Sequence, residues 1–96
     1  NPDIWLDYSH IYAIGSDYSG ALECLNTGIS EQQDNAELVY RKFIYLLKNQ
    51  QYKEAYAILE IALIMNYQTH DQIFDYDPDL RNDDNLLRII ELFRTS

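Results

Sequence analysis

The chain is poor in residues that cross-link, bend or span a membrane. Its 96 residues include one cysteine, Cys24, three glycines and two prolines. A lone cysteine excludes an internal disulfide and fits a reducing, cytoplasmic setting. Three isolated glycines exclude a glycine-rich phosphate loop. So little glycine and proline also argues against a turn-rich β fold. No apolar run reaches about 18 residues, so no segment reads as membrane-spanning. No basic start leads into an apolar stretch, so no signal peptide is visible. The chain opens on Asn1 and not on Met, and the expectation is a piece of a longer protein. Basic residues are also scarce: 7 Lys and Arg against 16 Asp and Glu, a net charge of −9 and a pI of about 4.3. Such a chain repels phosphate backbones and anionic lipid, so neither nucleic acid nor a membrane surface is an expected partner.

What the chain does contain is helical periodicity. Residues 49–62 lead from a polar turn (Asn49, Gln50, Gln51) into Tyr52, Ala55, Leu59 and Ala62. Spacings of three, four and three place these side chains on one helical stripe. Thirty-four positions earlier, Gly15-Ser16-Asp17 leads into Tyr18, Ala21, Leu25 and Gly28 with the same spacings. A helical stripe that recurs at the interval from Tyr18 to Tyr52 is the signature of stacked helix-turn-helix units. The small residues allow a neighbouring helix to approach closely.

In chain order, Pro2 and Asp3 open a first helix with Ile4, Tyr8, Ile11 and Tyr12 on one side and Trp5 beside them. Gly15 reads as its stop. Asp17 caps a second helix, Tyr18 to Ile29. Asp34 or Asn35 caps a third, running through Lys48, with Leu38, Val39, Phe43, Leu46 and Leu47 inward. The fourth runs from Tyr52 to about Asn66, and Ile58, Ile61 and Ile64 predict packing on a second flank. After Tyr67 the period breaks. Thr69 reads as the cap of a short helix through Tyr76, Asp77-Pro78-Asp79 as a turn or short helix start, and Asn82 or Asp83 as the cap of a last helix. The expected organisation is one all-α domain: repeat one about 2–34, repeat two about 35–68, and a capping segment about 69–96.

The two units resemble tetratricopeptide repeats over residues 3–67. Trp5 and Tyr12 stand at the family's large and aromatic positions of the first helix. Ser16-Asp17-Tyr18 and Gln50-Gln51-Tyr52 match its turn, and Ala21, Gly28, Ala55 and Ala62 match its second-helix alanines. Lys42, Phe43 and Asn66-Tyr67 depart from the pattern. The chain also resembles the C-terminal end of longer bacterial proteins of this family. The resemblance implies an α-α superhelix, no enzymatic activity, no cofactor, and a concave groove that takes a peptide or a helix. By analogy that groove is lined by Leu6, His10 and Ala13 and by Tyr40, Ile44 and Leu47, with Asp3 and Glu37 at its rim. The alternative at Tyr40 and Ile44 is plain packing against the next helix. The clamp by which some members hold a terminal carboxylate has no counterpart, so the expected ligand is an apolar or weakly basic segment. The alternative role is a structural end cap or a dimerisation segment. The face around Ile4, Trp5 and Ile11 is expected to be either exposed or covered by a second copy.

Other motifs carry less. Asp75-Tyr76-Asp77-Pro78-Asp79 alternates carboxylates, but Leu80 and Leu86 stand where a calcium loop needs Gly and Glu. Cys24 has no cation near it in sequence to favour a thiolate. His10, His70 and Cys24 make no zinc set.

Overall fold

The computed structural model describes residues 2–94, and among these it is all-helical, with no strand. The order is α1 (Pro2–Ile14), α2 (Tyr18–Glu31), α3 (Ala36–Lys48), α4 (Tyr52–Met65), a 3-10 turn (Tyr67–Thr69), α5 (Gln72–Tyr76), a 3-10 helix (Pro78–Asn82) and α6 (Asp84–Phe93). Side-chain caps define three starts. Asp17 accepts from the Gly20 amide, Asn35 from Glu37 and Asp83 from Leu86. Each satisfies an amide that the helix leaves without a partner.

The ends of α1 and α3 are built alike. Ser16 and Gln50 both adopt φ 63°. The Ser16 and Asp17 amides donate to Ala13 and Tyr12, and the Gln50 and Gln51 amides donate to Leu47 and Leu46. This is a Schellman stop, made twice at equivalent places of the two repeats. Gly15, expected to end α1, has no positive φ, and its successor carries the left-handed turn instead. The second helices agree too. Gln32 donates to Gly28, and Asn66 to Ala62.

The helices pack as two hairpins, α1 on α2 and α3 on α4, with α2 against α3 and α1 also touching α3. Ala21, Leu25, Ala55, Leu59 and Ala62 are completely enclosed, so the stripe seen in sequence is the seam. Each enclosed leucine contributes about 2 kcal/mol of burial. α5 lies against α3 and α6 against α4. The C-terminal segment adds Ile73, Phe74, Leu86 and Ile90 to the core.

Ile4, Tyr8, Ile11 and Tyr12 share one side of α1, and that side is exposed, while Leu6 and Ser9 are its buried side. Two expectations are corrected. Ile61 and Ile64 are exposed, so α4 has no second packed flank there. Thr69 does not cap α5. It sits in the 3-10 turn and donates back to the Asn66 carbonyl.

Candidate functional site

The inner side of α1 and α3 meets the C-terminal segment at an open cleft of about 640 Å³. α1 contributes Asp3, Leu6, Asp7 and His10, α3 contributes Arg41 and Lys48, and the C-terminal segment contributes Asp75, Tyr76 and Asp77. Arg41 and Lys48 share this side because positions seven apart fall on one helix face, with Tyr45 between them.

Polar contacts knit the cleft floor. The Tyr76 hydroxyl is 2.7 Å from His10 Nδ1 and 3.0 Å from the Tyr45 hydroxyl. Arg41 Nη1 donates to Tyr45 at 3.5 Å, and its guanidinium lies 3.8 Å from the centre of the Tyr76 ring. One consistent proton order runs from Arg41 to Tyr45, to Tyr76 and on to His10. Burial, with the Tyr45 hydroxyl second, raises the Tyr76 pKa, against the pull of Arg41. The cation–π contact and the Tyr45 hydroxyl hold the end of α5 on α3, and the His10 contact ties it to α1.

Lys48 Nζ stands 2.7 Å from Asp77 Oδ2. The oxygen is buried, so this short ion pair is made partly out of water. Asp77 raises the Lys48 pKa, overcoming the opposing effect of burial. The ammonium remains largely exposed, and its contribution is screened by water.

The expected groove residues divide. Leu6 and His10 line the cleft and Asp3 lies at its edge. Ala13 lines a small adjoining recess with Tyr18, Tyr45 and Tyr76. Glu37 lies elsewhere, in a polar depression between the α2–α3 turn and the end of α4. Tyr40, Ile44 and Leu47 are buried and present no open groove surface. The Tyr40 hydroxyl donates to the Asn66 carbonyl at 2.7 Å, and burial raises its pKa. At Tyr40 the cover is the C-terminal segment, which from Asn66 to Asp77 contacts Tyr40, Arg41, Tyr45 and Lys48 along α3. Arg41, Lys48 and Tyr76 were not among the expected site residues. The available signal was the cationic pair seven apart on α3, opposite an acidic and aromatic run after the period breaks.

Among the described residues, no three His, Cys, Asp or Glu side chains gather as a metal ligand set. Cys24 Sγ contacts the Trp5 carbonyl at 3.7 Å, and burial raises its pKa, which keeps it a thiol. No helix among the described residues is long and apolar enough to cross a membrane. Comparison of the chain with protein-family models, curated proteins and solved structures finds no match.

Proposed function

We propose that this protein is a non-enzymatic interaction module of the tetratricopeptide-repeat type, built as a superhelix of helix hairpins. The supporting observation is the duplication of the whole hairpin at a constant interval, down to the left-handed Ser16 and Gln50. A protein segment enters the cleft between α1, α3 and the end of α5, where the half-buried Tyr76 ring offers apolar surface. Asp3, Asp7, Asp75 and Asp77 outnumber Arg41 and Lys48 around it, and the chain carries −9 overall. A weakly basic segment is therefore favoured, with charge acting mainly on the rate of encounter.

Selection from a displayed random-peptide library tests this. Selected peptides should be lysine- or arginine-bearing, and Asp7→Lys with Asp75→Lys should weaken them by about tenfold at an unchanged thermal midpoint. Peptides that bind this double variant as well as the parent would refute the cleft. A second reading, a structural end cap, is favoured by the burial of Tyr40, Ile44 and Leu47 and by the bond from Tyr40 to Asn66. A library that yields no binder supports the second reading.

A further inference from the structure

The outer face of α1 is apolar and uncovered. Ile4, Tyr8, Ile11 and Tyr12 are 46, 55, 65 and 46% exposed. With Gly20, Cys24 and Thr27 of α2 this face forms a groove of about 750 Å³. The same surface recurs one repeat later, and there it is covered. Ile4, Ile11 and Tyr12 correspond to Leu38, Tyr45 and Leu46, which are 0, 1 and 1% exposed. α2 packs on this side of α3, with the Tyr18 and Tyr45 rings 6.2 Å apart, and Tyr45 also meets Tyr76 of α5 at 5.9 Å.

The groove itself recurs as well. Tyr8, Tyr12, Asp17 and Gly20 correspond to Lys42, Leu46, Gln51 and Glu54. Those four residues line a cleft of only about 250 Å³, and its other wall is Ser19, Leu22, Glu23 and Asn26 of α2. The molecule thus contains one position of the fold twice, once beneath a helix and once bare.

We infer that the outer face of α1 is a docking site for the second helix of a further hairpin of this repeat type, seated as α2 is on α3. The occupant's chemistry follows from α2. It carries an aromatic residue at the Tyr18 position to lie over Ile11, and an apolar one at the Leu22 position. The bare groove is lined by Asp17 and Glu23 and by no basic residue, so a lysine or arginine at the Ser19 or Asn26 position adds to the fit. A second copy of this chain does not present that surface head to tail. Its α4, the counterpart of α2, is in contact with α6, and Tyr56, the counterpart of Leu22, is tied to Asp83. The inference rests on the repeat reading but not on the inner cleft.

The test is the full chain with residues 2–35 duplicated ahead of Pro2, which preserves the interval between repeats. Amide exchange across Ile4–Tyr12 of the original α1 should slow at least ~tenfold relative to the single chain. Ile11→Asp in that original α1 should abolish the slowing, while leaving the single chain's thermal midpoint unchanged. Exchange that stays as fast overturns the inference, whether the added hairpin is folded or not. Slowing that survives Ile11→Asp does so too. So does a single chain that sediments as a dimer until Ile11→Asp is introduced, which would assign the face to a second copy. Peptide binding at the inner cleft is read on the single chain, so either idea can fail alone.

Discussion

Gly28 and Trp5 give the sharpest test of the hairpin seam. A Cβ added at Gly28 would stand 2.6 Å from Trp5 Cγ and 2.9 Å from both its Cβ and Cδ1. Two of those atoms belong to the rigid indole and the third is fixed to the α1 backbone. No rotation about χ1 moves the Trp5 Cβ, so α1 itself must shift. Overpacking of this kind costs about 1–3 kcal/mol. Against it stands the gain from replacing a glycine near the end of α2 with alanine, up to about 1 kcal/mol. Gly28→Ala should therefore lower stability by a net of about 1 kcal/mol. Repeat two holds the natural control. At the corresponding positions it carries Val39 and Ala62, both buried, a smaller residue facing a larger one. In a Trp5→Val background the clash disappears and the propensity gain remains, so Gly28→Ala should stabilise by up to about 1 kcal/mol. The coupling, about 2 kcal/mol, is read from urea denaturation of the four chains by circular dichroism. Equal effects of Gly28→Ala in both backgrounds would refute the Trp5–Gly28 contact as the reason for this glycine.

Two further outcomes are expected. Gln50→Gly should raise stability by about 1 kcal/mol in the same denaturation assay, because a left-handed φ strains a side chain there and not a glycine. Burial raises Tyr40 and Tyr76, and burial with the Asp83 bond pushes Tyr56 up to about 12. Their neutral forms favour the folded state, so the contribution is complete below the unfolded value near 10 and is lost as pH rises from there. The raised Lys48 acts with the same sign. Absorbance at 295 nm should show these three tyrosines ionising late, together with alkaline unfolding. A titration of all nine tyrosines near pH 10 in the folded chain would contradict the burial.

The helices and three of their caps were legible because the signals are local. Asp17 stands immediately before its helix, as does one of each pair Asp34/Asn35 and Asn82/Asp83, and a side chain that reaches an amide two or three residues on depends on nothing distant. The repeat interval was legible because Ala21, Leu25, Ala55 and Leu59 meet other helices in the same way. The groove was harder to read. Whether Tyr40 faces a ligand or a lid is decided by residues 66–77, which share no period with α3. A carboxylate such as Asp77 reads in sequence as a solvated turn residue, and it becomes an ion-pair partner only when Lys48 is brought to it. Both Tyr40 and Ile44 are core, so neither can report on binding without first disturbing the fold.

The end of the repeat has a covalent cause at Pro78. Two repeat intervals separate it from His10, with Ile44 between. His10 and Ile44 lie within α1 and α3, so a third first helix would place Pro78 in its interior, where proline removes a bond and clashes with the preceding turn. The chain instead stops α5 at Tyr76 and restarts at Pro78 as a 3-10 helix, with proline at its first position. The break leaves α5 short and pressed on α3, and it carries Tyr76 and Asp77 to the inner cleft. It also leaves Tyr52 without the ring partner that Tyr18 finds in Tyr45, because the corresponding residue is the exposed Asp79. Tyr52 is accordingly 55% exposed although its backbone setting repeats that of Tyr18. Pro78 thus bars a third long first helix, while Tyr76 and Asp77 fasten the shortened segment to α3.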